Sequence, residues 1–180
     1  TAEVVGLDPN RPDEMYSLTG QSTIAKTSAE VIEVHIDPPD PPASPSVLEA
    51  IETSDVLVLG PGSWFTSVMP HLLVPQIVEA IMDSDALKIL SLNVAGADET
   101  NGFSPARHLE VLAEHEPRIR FDVVLADRSF ARSDPHLGTF ARNLGARIVE
   151  ADLAMHDGSA RHDPLRLASA YAEVMGGHIR

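Results

Sequence analysis

The sequence predicts an α/β fold of Rossmann-like type, a mostly parallel sheet with helices on both faces. Three observations lead there. Short continuous apolar runs at residues 55–59, 88–94 and 122–126 have the pattern of strands covered on both faces. Between them lie segments that open on helix-start residues and carry apolar side chains at helical spacing. The two patterns alternate along the chain, which is the order of βαβ units.

Each element has its own warrant. Val31-Ile32-Glu33-Val34-His35-Ile36 alternates with period two and reads as a half-buried strand. It runs into Asp37-Pro38-Pro39-Asp40-Pro41-Pro42, a proline cluster unfit for helix or inner strand and therefore a stiff surface connection. Ser46 is expected to cap a short helix from Val47 to Ser54. Asp55–Leu59 is the first strand covered on both faces, broken by Gly60. Pro75 opens a helix with Ile77, Val78, Ile81 and Met82 on its stripe. Lys88–Val94 is the next strand.

Ser104 caps a helix with Pro105 in its first turn and Leu109, Val111 and Leu112 facing inward. Asp122–Ala126 is another buried strand. A helix around Thr139–Leu144 stops at Gly145, and Arg147–Ala151 is the last strand. Asp163 caps a final helix that starts at Pro164 and runs to Gly176.

Composition narrows the function. The 180 residues hold 13 Lys+Arg against 27 Asp+Glu, a net charge of −14, with no cysteine. There is thus no disulfide framework, thiol nucleophile or cysteine-based zinc site. An acidic chain repels nucleic acid and anionic lipid, so neither is an expected partner. No apolar run is long enough to span a membrane, and no leader is recognisable, so the expected location is the cytoplasm. Any anionic ligand must be held by local geometry. At the front, the apolar residues of Ala2–Leu7 have no evident partner nearby. That suits either a processed terminus or the C-terminal part of a longer protein.

The most informative stretch is Gly60-Pro61-Gly62-Ser63-Trp64-Phe65-Thr66-Ser67-Val68-Met69-Pro70. Glycines at the carboxyl end of a buried strand let the backbone turn sharply and approach a ligand. Ser63, Thr66 and Ser67 add hydroxyls, and backbone N–H groups there suit a phosphate or carboxylate. The other reading is a structural turn whose hydroxyls cap the next helix. The stretch lacks the Gly-Lys-Ser/Thr of a Walker loop and is not GxGxxG. Packing is the expected role of Trp64 and Phe65.

This motif, Gly-Pro-Gly-Ser-x-x-Thr-Ser-x-x-Pro, continuing as His71-Leu72-Leu73-Val74-Pro75, resembles the gluconeogenesis factor family, the YvcK-like proteins. That family is related to the 2-phospho-L-lactate transferases. Gly20-Gln21-Ser22, Glu99-Thr100-Asn101-Gly102-Phe103 with His108-Leu109, and Arg161-His162-Asp163 are similar to further family elements. The resemblance runs from about Glu14 to Ala172, and the proline-rich connection with Trp64-Phe65 is similar to the actinobacterial members. Two departures stand out. The loop after Asn93 lacks the family's Gln-Pro-Gly, and the Gly-rich nucleotide loop that opens family members is not in this chain.

The resemblance implies the C-terminal part of a single α/β domain that binds a nucleotide sugar such as UDP-N-acetylglucosamine. The implied role is regulatory, linking carbon metabolism to cell-wall synthesis and cell shape. Implied partners are the nucleotide sugar, cell-wall synthesis proteins and a second copy of the chain. Two alternatives stay open: a transferase moving a phospho-organic group from a nucleotide diphosphate, for which Mg²⁺ is the implied cofactor, and a partner-binding scaffold of the cell-shape machinery. Catalytic residues are not assignable. Metal-ligand spacing is lacking among His35, His71, His108, His115, His136 and His156.

The candidate ligand residues are Gly60, Gly62, Ser63, Thr66, Ser67, Asn93, Glu99, Thr100, Phe140 and Arg161. Arg161 precedes a capped helix, where a guanidinium and a helix dipole together suit a diphosphate; its other reading is a surface ion pair. Asn93 has the topological address for ligand contact. Glu99 suits sugar hydroxyls or plain solvation. Phe140, with Arg142 nearby, suits stacking on a base or core packing.

Overall fold

The front of the chain folds as a three-stranded antiparallel sheet. Ala2–Asp8 (β1) is the middle strand, flanked by Arg11–Thr19 (β2) and Glu30–Ile36 (β3). This corrects the expectation that residues 2–7 have no partner: Val4 stands opposite Leu18 on one side and Val34 on the other. The β1–β3 register shifts between Val5 and Gly6 and puts one extra residue on β3. Strict alternation therefore fails there, with Val31 and Val34 both buried and Glu33 and His35 exposed. Pro12 sits in β2, an edge strand, where a missing N–H costs no ladder bond.

The computed structural model describes residues 2–8, 11–24, 27, 30–96 and 100–178, and these fall into two compact units. The first comprises residues 1–53, 62–84 and 97–102. Besides the antiparallel sheet it holds the short helix Gln21–Ile24 (α1) and the helices Pro45–Thr53 (α2) and Pro75–Asp83 (α3). The cap expected at Ser46 is corrected to Ser44, whose carbonyl accepts the Val47 amide at 2.9 Å and the Leu48 amide at 3.2 Å. Pro45 then takes the first helical position, where its missing N–H is not needed. The helix at Pro75 starts where the sequence places it, with Val78 buried.

The second unit comprises residues 54–61, 85–96 and 103–180. Its strands are Val56–Leu59 (β4), Leu87–Ser91 (β5), Val123–Asp127 (β6) and Arg147–Ala151 (β7). They lie in sequence order, β4-β5-β6-β7, and all pairs are parallel. Its helices are Pro105–His115 (α4), Arg128–Arg132 (α5), Leu137–Asn143 (α6) and Pro164–His178 (α7).

Helices cover both faces of this sheet. On one, Leu87, Ile89, Val123 and Leu125 pack with Leu153 and with Ala170 and Val174 of α7. On the other, a methyl placed on Gly138 of α6 would lie 4.0 Å from Ile148 Cδ1. Leu90, Val124 and Ala126 are buried as well, as are Leu109 and Leu112 of α4. Each buried Leu, Ile or Val contributes about 1.5–3 kcal/mol relative to an exposed one.

Four details differ from the sequence reading. β4 is not covered on both faces: it is an edge strand of its sheet, and Val58 is 45% exposed. An apolar run does not reveal whether a strand ends the sheet. β5 stops at Ser91, although the Leu92 amide still donates to the Leu125 carbonyl at 2.9 Å. α6 begins at Leu137, two residues early, and α7 runs past Gly176 to His178. The expected stops and caps are otherwise present. Gly145 has φ +78°, and the Ala146 amide reaches back to the Ala141 carbonyl at 2.9 Å, closing α6.

Candidate functional site

In the parallel-sheet unit, four polar or flexible residues stand at the carboxyl ends of the strands: Gly60 beyond β4, Asn93 beyond β5, Asp127 at the end of β6 and Asp152 beyond β7. This is the edge at which parallel α/β sheets bind ligands. Asp127 organises it. The residue is 3% exposed. Its Oδ1 accepts the Ser129 amide at 2.9 Å and the Ser129 hydroxyl at 2.6 Å. Its Oδ2 accepts the amides of Leu153 at 2.9 Å and Ala154 at 3.1 Å. Burial alone would raise this carboxyl; the donors outweigh it and hold it below the ordinary carboxylate value.

Beside Asp127 is a cavity of about 460 Å³, lined also by Arg128, Ser129, Arg132, Asp152 and His156. Within reach of its rim, Arg166 bonds both Asp152 and His156, and the His156 ring lies 3.2 Å from Asp152 Oδ1. Arg132 Nε donates to Glu150 at 2.9 Å. The volume is in the range of small-molecule pockets.

His162 belongs to the same edge. Its backbone bridges Ala154, and its Nε2 is buried with no hydrogen-bond partner among the described residues. Burial lowers the imidazole below its ordinary value, while a backbone bond with Leu92 and the charge of Asp127 pull the other way. The ring is thus biased to the neutral form. Tyr171 of α7 is raised by burial, offset in part by the Ser91 hydroxyl at the end of β5.

The residues singled out in the sequence are dispersed over this framework. Gly60 turns at φ +79°, a conformation glycine reaches without a Cβ penalty. Asn93 lies two residues past β5. Phe140 is half-buried on α6, and the neighbouring Arg142 donates to Thr139 Oγ1 at 3.2 Å. Arg161 is 73% exposed, and its guanidinium pairs with Asp157 at 3.2 Å and donates to Ser159 Oγ at 3.2 Å.

Gly62, Ser63, Thr66, Ser67 and Thr100 belong to the other unit. There Trp64–Val68 forms a π turn and Met69–Leu73 a 3-10 turn. The Ser63 carbonyl accepts the Ser67 amide at 2.9 Å and the Val68 amide at 3.1 Å. The Ser63 and Thr66 hydroxyls bond each other. Trp64 and Phe65 are buried, Thr66 and Thr100 too, and Ser67 is exposed. Glu99 lies outside the described residues.

Asp127, Arg128, Ser129 and the Ser91–Tyr171 contact were missed from sequence. The pattern Asp127-Arg128-Ser129 directly after a buried run was the available signal, since an Asp there caps a turn. The described residues hold no group of three His, Asp or Glu placed to ligate one metal ion; a Mg²⁺ held by one or two carboxylates and substrate phosphates needs no such group. Among them no single helix is long and apolar enough to cross a membrane.

Comparison with known proteins supplies the lineage. The family model described as 2-phospho-L-lactate transferase CofD matches residues 7–163. A Mycobacterium leprae protein provisionally named gluconeogenesis factor is 40% identical over 98% of this chain and 50% of its own length. Its Mycobacterium tuberculosis counterpart is 41% identical over 93% of this chain and 50% of its own length. The chain thus spans about half the length of these curated relatives. The crystal structure of a UPF0052 family member from Bacillus halodurans superposes with a TM-score of 0.73 at 27% identity, covering 97% of this chain and 59% of that one. The fold, the motifs and the match over most of its length agree: the chain belongs to the CofD family, among relatives named as gluconeogenesis factors.

Proposed function

We propose that this chain is the C-terminal part of a cytoplasmic regulatory domain that binds a nucleotide sugar, UDP-N-acetylglucosamine or a close relative. In this reading the bound state reports cell-wall precursor supply to carbon metabolism and cell shape, through cell-wall synthesis proteins or a second copy of the chain. The observation that carries it is the 460 Å³ cavity at the carboxyl ends of β6 and β7, where a parallel sheet presents loops to a ligand. Gly60 and Asn93 follow β4 and β5, and in this reading they and Arg161 would add backbone, amide and guanidinium contacts. Relatives named as gluconeogenesis factors support the regulatory side.

Calorimetric titration of the full-length protein with UDP-N-acetylglucosamine tests the reading. Saturable binding, weakened by Arg161→Ala, is expected; a wild-type protein that takes up none overturns it. A second reading, transfer of a phospho-organic group from a nucleotide diphosphate, is favoured by the description of the family model. Mg²⁺-dependent turnover of a GDP- or UDP-activated substrate by the full-length protein would put it first.

A further inference from the structure

Most guanidinium groups of the parallel-sheet unit are already spoken for. Arg107 pairs with Glu110, Arg118 with Glu116, Arg132 with Glu150, Arg161 with Asp157 and Arg166 with Asp152. Arg128 differs. It is exposed, it has no carboxylate partner among the described residues, and it lines the 460 Å³ cavity. In a chain with 27 acidic residues, an unpaired guanidinium facing a hollow is a local exception to a field that repels anions.

The cavity's other charged side chains are already engaged, Arg132 by Glu150 at 2.9 Å. Next to Arg128, Asp127 has both oxygens engaged by backbone amides and by Ser129. Asp152 and His156, which also line it, are held together by Arg166. A carboxylate has about four lone-pair sites, so Asp152 keeps acceptor capacity for hydroxyl groups after these bonds. Arg128 offers a planar fork suited to a phosphoryl group, Asp152 an acceptor suited to sugar hydroxyls.

We infer that this cavity is a subsite for a phosphorylated sugar, with Arg128 gripping the phosphoryl group and Asp152 accepting hydroxyls. The inference rests on the nucleotide-sugar reading for its natural ligand, and it moves the main phosphoryl contact from Arg161 to Arg128.

The test is calorimetric titration of the full-length protein with glucose 1-phosphate, with glucose and inorganic phosphate as separate arms, and with UDP-N-acetylglucosamine. Arg128→Ala should weaken binding of the phosphorylated ligands at least about tenfold, the loss of a charge-assisted bidentate contact. Arg128→Lys should restore part of it. Arg147→Ala, the same charge change at the opposite end of β7, should leave it unchanged. Glucose 1-phosphate should bind more tightly than either inorganic phosphate or glucose.

The outcomes separate the two claims. Loss of glucose 1-phosphate binding in Arg128→Ala, with no uptake of UDP-N-acetylglucosamine by the wild type, upholds the subsite and overturns the nucleotide-sugar reading. Equal uptake of UDP-N-acetylglucosamine by wild type and Arg128→Ala does the reverse. Glucose 1-phosphate binding no tighter than inorganic phosphate overturns the sugar end, and a wild type that binds no probe overturns both claims.

Discussion

The Asp127 carboxylate accepts the Leu153 amide at 2.9 Å, tying the end of β6 to the chain that leaves β7. The same side chain caps the turn into α5 through Ser129. One buried carboxylate therefore fixes both walls of the cavity.

Asp127→Asn keeps the shape and loses the charge-assisted bonds to the Ser129, Phe130, Leu153 and Ala154 donors. A stability loss of about 1–3 kcal/mol is expected, read as a lower urea midpoint at pH 7. The folded-state value of Asp127 is depressed, so its contribution is complete above about pH 4 and is lost as pH falls through the folded value. The gap between wild type and variant should narrow at pH 3. A gap that widens on acidification contradicts the assignment.

His162 and His108 are both held below the ordinary imidazole value, chiefly by burial. As pH falls through about 6.5, the unfolded chain takes up protons first, so stability declines from there toward the folded-state values. His162→Gln removes one of these two groups. Urea midpoints between pH 7 and 5 should fall less steeply in the variant, and an unchanged slope would show that His162 is charged in the fold.

Gly145 holds φ +78° at the end of α6. A Cβ there would meet Arg120 Cδ at 3.5 Å and the Phe121 carbonyl at 3.7 Å, both ordinary contacts. The cost of Gly145→Ala is therefore conformational, about 1–2 kcal/mol. Equilibrium denaturation should show it, and a neutral result would mean the turn relaxes out of the left-handed region.

Ser104 Oγ accepts the Arg107 amide at 3.2 Å, capping α4. Ser104→Ala should cost about 1 kcal/mol. Ser104→Thr should recover most of it, since its hydroxyl can both accept the Arg107 amide and donate to Asp134. Recovery failing in the Thr variant would point to a contact other than these hydroxyl bonds.

What the sequence revealed followed physical lines. β5 and β6 were readable because strands inside a parallel sheet are largely apolar, the edge strand β7 because a short β-branched core follows the Gly145 stop, and Ser104, Asp163 and Gly145 because caps have narrow residue preferences. β2 was not readable: it is polar, carries Pro12, and owes its existence to pairing with β1. The exposure of Val58 escaped because edge position is a property of the sheet, not of the run. Arg161 and Arg128 look alike in sequence. Only the fold reveals that Asp157 answers one of them and that the other lines a cavity.

The most direct measurement is a crystal structure of the full-length protein soaked with UDP-N-acetylglucosamine. The account predicts ligand density along the carboxyl ends of the parallel strands, with a phosphoryl oxygen in hydrogen-bond range of Arg128. Density elsewhere on the molecule, with the cavity beside Asp127 holding only solvent, would contradict it.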